Sequence, residues 1–308
     1  MRKIIGIITV FLVVLTFIGC GNQEKQSVSH KQDTGNEMNQ EDETKQKDEL
    51  EQETGAQQEV KPEQEEKEET PTTQPQQTQQ STTTNVPKVE AIPGQHRDPN
   101  TAVVVIDPGH QLRGDSTKEP NGPGSTVMKA RVTSGTTGIA TKVPEYVMNL
   151  DIGLKLKTEL ENRGYTVYMT RSVHEVNISN KERAEYATTV GADIAVRIHG
   201  NGSTNSAVHG AEAYVPSAKN PYVGHLAKAS NSLGKCIVDA YCAASGFKNR
   251  GVFTSDTMTG MNWSGVPVTI LEVGYMSNAD EDRRMQDATI QNNMVQGIAN
   301  GIDAYFGF

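Results

Sequence analysis

The amino-acid sequence predicts an α/β layered domain over residues 101–308. Three observations carry that prediction. Short β-branched runs alternate with longer helical patterns from residue 101 onward, as layered α/β folds require. Three of these runs end on a side chain able to bind a metal or move a proton: His110, His199 and Glu272. The acidic, low-complexity part of the chain is confined to its first hundred residues, which leaves the remainder with the composition of one ordinary core.

The chain begins with Arg2 and Lys3, then an almost wholly apolar run from Ile4 to Gly19. That run is short for a spanning helix, which needs ~20 residues, and residues 1–20 read as an export signal. Its end, Phe17-Ile18-Gly19-Cys20-Gly21, resembles a bacterial lipobox, with Phe17 where Leu is usual. A resemblance of this kind implies lipidation of Cys20. A plain cleaved signal and an uncleaved anchor are the alternatives, and all three put the rest of the chain outside the membrane.

Residues 21–100 are expected to be a disordered linker. Gln, Glu, Lys, Thr and Pro dominate it, and such a composition cannot bury enough surface to fold. Of a formal net charge of −9, residues 21–90 hold 17 acidic and 7 basic side chains, whereas residues 91–308 hold 21 and 20. The folded part is therefore close to neutral and offers no basic footprint for nucleic acid.

From residue 101 the elements follow in order. Val103 to Asp107 reads as a fully buried strand, and Pro108-Gly109 stops it, delivering His110 to the strand end. A polar, Gly-rich loop runs from Gln111 to Val143. Pro144 then opens a helix of about 145–163, since Pro suits a first turn. Gly164 ends it, and Tyr165 to Met169 form the next strand. Ser179 or Asn180 caps a helix to Val190. Asp193 to Ile198 is a third strand, ending on His199-Gly200-Asn201. Ala211 to Val215 is a strand and Pro221 to Ala244 a long helix. Cys236 and Cys242 lie on different faces of that helix, so they cannot close a disulfide without breaking it. Val266 to Leu271 is another buried strand, ending on Glu272. A last helix of about 289–305 aligns Ile290, Met294, Ile298 and Ile302 on one stripe.

If the strands ending at His110, His199 and Glu272 are parallel neighbours, those ends converge in one crevice. Glu145 is a fourth candidate. At 100° per residue it shares a helix line with Asn149, Ile152, Leu156 and Leu160. Two readings of it stand: a first-turn acid that complements the helix dipole, worth ~0.3–1 kcal/mol, or a ligand pointing inward at the same edge. Two histidines and one carboxylate leave one coordination place open, the pattern of catalytic zinc. A second carboxylate would then act as general base, and Glu272 fits that role.

These residues carry a family resemblance. Val-Ile-Asp-Pro-Gly-His at 105–110, Pro-Glu-Tyr at 144–146, Arg-Ile-His-Gly-Asn at 197–201 and Leu-Glu-Val-Gly-Tyr-Met-Ser-Asn at 271–278 resemble the zinc-dependent N-acetylmuramoyl-L-alanine amidases of the type-3 family. The resemblance covers about 101–306, in order. It implies Zn2+ on His110, Glu145 and His199, Glu272 as catalytic carboxylate, and a single mixed, mostly parallel sheet of about six strands with helices on both faces. It implies hydrolysis of the bond between N-acetylmuramic acid and L-alanine in peptidoglycan. Gly200 departs from the usual Ala and Arg197 from a small polar residue. The competing functions are a zinc peptidase cutting within the stem peptide and a non-catalytic wall-binding lipoprotein. The expected setting is outside the cell membrane, anchored by an N-terminal lipid or helix and facing the wall, with no nucleic-acid partner and the protein a monomer.

The remaining polar residues carry more modest expectations. Arg183 and Arg250 are expected in structural pairs. Asp107 is expected to fix the His110 turn or ring. Asn201 is expected to bond either substrate or backbone. His174, His209 and His225 have no partner at metal spacing, and Trp263 is expected to pack.

Overall fold

The computed structural model describes residues 99–308. The expected export segment, and the linker up to residue 98, lie outside the described residues. Among the described residues no helix is long and apolar enough to cross a membrane.

The domain is built on a six-stranded sheet, and the crossover from its first strand to its second in sequence carries a small two-stranded one. Strands β1 (Val103–Pro108), β4 (Thr166–Met169), β5 (Ile194–Asn201), β6 (Ala211–Val215), β7 (Asn249–Thr254) and β8 (Val268–Tyr275) make the large sheet, and β2 (Asp115–Pro120) and β3 (Met128–Val132) the small one. The order is β4-β1-β5-β8-β6-β7. The first four are mutually parallel, whereas β6 pairs antiparallel with β8 and parallel with β7. The carboxyl ends of β1, β5 and β8 therefore meet the amino ends of β6 and β7 at one edge.

Helices cover both faces. One face carries α1 (Glu145–Asn162), α3 (Ala227–Ser245) and α6 (Ala288–Phe306). Their buried side chains, among them Ile152, Leu156, Ile237 and Ile298, form one core with Val104, Ile106, Ile198 and Leu271. The packing is close: a Cβ on Gly297 of α6 would lie 2.7 Å from Tyr241 Cα of α3. The opposite face carries α2 (Asn180–Thr189) and the short α4 (Thr259–Asn262), over a smaller core of Val105, Ala187, Ala195, Met261 and Ile270. Helix α5 (Ala279–Gln286) follows β8 directly.

Several elements differ from their sequence expectation. The loop expected over 111–143 contains the β2–β3 hairpin. Its strands lack alternating burial, so period 2 could not reveal them; docked contacts hold them instead. Glu119 accepts from Lys181 N at 3.0 Å, and Pro120 O from Trp263 Nε1 at 2.8 Å. Trp263 thus packs, with Lys181 Nζ 4.1 Å above its ring. The helix expected from Pro221 begins at Ala227, after a 3-10 turn at Gly224–Leu226. Strand β8 runs on to Tyr275, so Glu272 lies within it rather than beyond its end. Ser179 caps α2 in a reciprocal arrangement with Glu182. Cys236 and Cys242 are free thiols.

Candidate active site

The site grows out of the turn after β1. Gly109 packs against the His199 ring, so a side chain there would collide with it. His110 follows with φ +60°, a left-handed conformation that costs a non-glycine residue some strain. The turn is held from its carbonyl side. Arg171 donates to Pro108 O (2.9 Å) and Gly109 O (3.0 Å), and Arg183 to Pro108 O and His110 O, both at 3.0 Å. Asp107 acts one step further back. It pairs with Arg183 at 2.8 Å and Arg197 at 2.7 Å, and touches His110 only through Arg183. The His110 ring is fixed by Thr133 instead, whose carbonyl lies 2.9 Å from Nδ1.

His110, Glu145 and His199 come together, as their strand ends and helix line require. Glu145 is the first residue of α1, buried, and turned inward with Asn149. The three facing atoms form a near-equilateral triangle. His110 Nε2 lies 3.2 Å from Glu145 Oε1, His199 Nδ1 lies 3.3 Å from the same oxygen, and the two nitrogens are 3.2 Å apart. Ligands about 2.0–2.1 Å from a tetrahedral ion lie about 3.3–3.4 Å from one another. The triangle therefore fits one face of a tetrahedral ion of zinc's size, with the fourth place open, and its N,N,O donors are ones zinc accepts.

Protonation agrees with that fit. Thr133 O can only accept, so His110 Nδ1 carries the proton and Nε2 offers a lone pair. Burial alone would raise the Glu145 carboxyl, but attraction to positive charge at the two imidazoles holds it well below the usual range, a charge that an ion in the triangle would supply with both rings neutral. Burial depresses His199, with Glu145 opposing, which favours the neutral ring that a ligand must be. Glu145 is also oriented by Thr136 N at 2.9 Å on Oε2 and Gly200 N at 3.0 Å on Oε1.

Glu272 is the register neighbour of His199 on β8, and Glu212 of β6 is the register neighbour of Glu272. Paired residues project from one face, so His199, Glu272 and Glu212 form a row across three strands. Glu272 and Glu212 are both buried. Glu212 accepts from Arg250 Nε (2.6 Å), Asn201 Nδ2 (2.7 Å), Tyr214 OH (3.0 Å) and Tyr275 OH (3.2 Å). Asn201 accepts from Gly202 N at 2.8 Å, the backbone bond expected of it, and gives its amide to Glu212, while Arg250 stands in a buried pair. His209 Nδ1 meets only Ala207 O, and His174 lies edge-on to Tyr146. Thr133, Arg171 and Glu212 escaped the sequence reading. Thr133 and Arg171 sit in loops without periodicity, and Glu212 is the second residue of a strand whose other residues are apolar or aromatic.

Residues 104–304 match the family model described as N-acetylmuramoyl-L-alanine amidase. The amidase LytC of Bacillus subtilis (strain 168) is 26% identical over 162 residues, which is 53% of this chain and 31% of that protein; the chain thus spans under a third of that relative's length. The catalytic domain of CwlV, an N-acetylmuramoyl-L-alanine amidase of Bacillus (Paenibacillus) polymyxa var. colistinus, superposes with a TM-score of 0.54 at 30% identity, covering 67% of this chain and 99% of that one. The amidase Ami1 of Mycobacterium smegmatis shares the fold, with a TM-score of 0.62 at 23% identity over 68% of this chain and 99% of that one.

Proposed function

The chain belongs to the N-acetylmuramoyl-L-alanine amidase family, and from that premise we propose that it hydrolyses the amide joining the lactyl group of N-acetylmuramic acid to L-alanine in peptidoglycan, with Zn2+ held by His110, Glu145 and His199. The observation that carries the reading is the triangle of donor atoms 3.2–3.3 Å on a side, beside a buried carboxylate on the next strand. Bound zinc supplies Lewis acidity, which acidifies water and polarises a carbonyl.

The chain's own residues supply orientation and proton transfer. His110 and His199 present neutral ring nitrogens, and Glu145 a carboxylate already ionised. Glu272, one strand over on the same face, takes a proton from the attacking water and returns it to the L-alanine nitrogen as the C–N bond breaks. The products are a free lactyl carboxyl and a free L-alanine amine. Residues 101–308 are the catalytic domain, a monomer. The export segment and Cys20 put it outside the membrane facing the wall, with a lipid or anchor at its start.

Digestion of purified peptidoglycan by the full chain, with and without a chelator, tests this. Mass spectrometry should find peptide-free glycan and stem peptides with free L-alanine amino termini, and the chelator should stop their release. Cuts within the stem would make the protein a peptidase, absence of release would leave it a wall-binding protein, and chelator-resistant release would remove the metal from the mechanism.

A further inference from the structure

Residues 133–143 join the β2–β3 hairpin to α1, and their backbone forms one wall of the His110–Glu145–His199 cluster. Thr133 meets His110 Nδ1 with its carbonyl at 2.9 Å and its hydroxyl at 3.1 Å. That contact selects the tautomer in which Nε2 is the acceptor. Gly135, at φ +81°, lies against both neighbours: a Cβ there would be 2.6 Å from Glu145 Oε2 and 2.8 Å from His110 Cδ2. Thr136 then holds Glu145 from two sides, its N–H on Oε2 and its carbonyl on Glu145 N, each at 2.9 Å. Thr136 N on Oε2, together with Gly200 N on Oε1, fixes the rotamer in which Oε1 faces the imidazoles.

The far end of the segment has little apolar anchorage, since Ile139 is 53% exposed. One carboxylate fastens it. Asp282 of α5 is fully buried and accepts from Ala140 N and Thr141 N on Oδ2, and from Thr141 Oγ1 on Oδ1, each at 2.7 Å. Ile139 N adds a bond to Met276 O at 2.9 Å. The first turn of α5 holds Asp280 and Glu281 as well, so the helix dipole does not need Asp282, whose carboxylate instead turns to the loop. Asp282 stands seven residues past the end of β8, so the stretch that carries Glu272 also closes the wall around the cluster.

We propose that residues 133–143 are a clasp that fixes the His110 tautomer and the Glu145 rotamer, and that Asp282 is the positioning residue that closes it. The consequence for metal affinity rests on the zinc reading above; the clasp itself does not. Its loosening leaves the ligands present but no longer held for an ion, a loss that commonly weakens metal binding about 10–100-fold.

The test is Asp282→Asn, which keeps shape but turns an amide NH2 toward donors. In the metal-stripped full chain, 15N NMR of His110 should show one Nδ1–H tautomer in the wild type and a mixture in the variant. Amide exchange at 138–142 should accelerate, and zinc affinity against a competing chelator should fall about 10–100-fold. If Asp282→Asn does not fold, Thr141→Val removes one of the three bonds and should give the same changes at smaller size. An unchanged His110 tautomer would overturn the clasp, as would zinc affinity within twofold of wild type in a chain that binds zinc. A wild-type chain that takes up no zinc would instead sink the metal reading, and the tautomer would still decide the clasp.

Discussion

Glu272 illustrates what a single residue contributes here. It is buried, it lies on the same face as His199, and its neighbour on the far side is Glu212, already committed to Arg250, Asn201 and two tyrosines. Glu212 therefore has little left to give a passing proton, and Glu272 is the carboxylate placed to move one. Glu272→Gln keeps the shape and removes the basic oxygen. Stem-peptide release should fall about 10²–10⁴-fold, the usual worth of a general base, with zinc content unchanged by metal analysis. Retained turnover would move the proton transfer elsewhere. At this scale the sequence was informative wherever a residue's element announced its direction. His110 and His199 close buried β-branched runs, and Glu145 shares the apolar line of α1. Thr133 had no such signal: it reaches back 23 positions from a loop, and only folding brings its carbonyl to the His110 ring.

Among elements, β1, β5 and α2 are tied by one buried anion between two cations. Burial would push the Asp107 carboxyl up; Arg183, Arg197 and the Thr170 hydroxyl hold it far below the usual range. A depressed folded pKa means stability that is present above the unfolded value of about 3.9 and lost as pH falls below it. Asp107→Asn should cost about 3–5 kcal/mol at pH 7, because it leaves two buried guanidiniums short of charge. In urea unfolding, the gap between variant and wild type should narrow as pH falls below about 4, where the unfolded wild type takes up a proton that the folded form still excludes. A gap constant from pH 7 to 3 would mean that shape rather than charge holds the tie. The same scale shows why the hairpin was missed. Asp115–Pro120 exposes three consecutive side chains, so no alternation marks it, and its stability comes from α2 and Trp263, which are distant in sequence.

For the whole molecule, alternation of strands and helices made the layered architecture legible, but strand order was not. The reversal at β6 follows from where its connections run, and no local pattern in Ala211–Val215 encodes it. Yet that order puts the triangle between parts of the chain far apart in sequence: the turn after β1, the first turn of α1 and the end of β5. An ion bound there would cross-link three elements of the same core, and binding confined to the folded state adds stability by mass action. At free zinc 100-fold above the dissociation constant the gain is about 2.7 kcal/mol. For a domain of this size that corresponds to a rise in Tm of roughly 5–11 °C. Scanning calorimetry of the full chain should show this rise on adding zinc and its reversal by chelator, and His199→Ala should show neither. A zinc-independent Tm in the wild type would mean that the triangle holds its shape without an ion and that zinc is not its occupant.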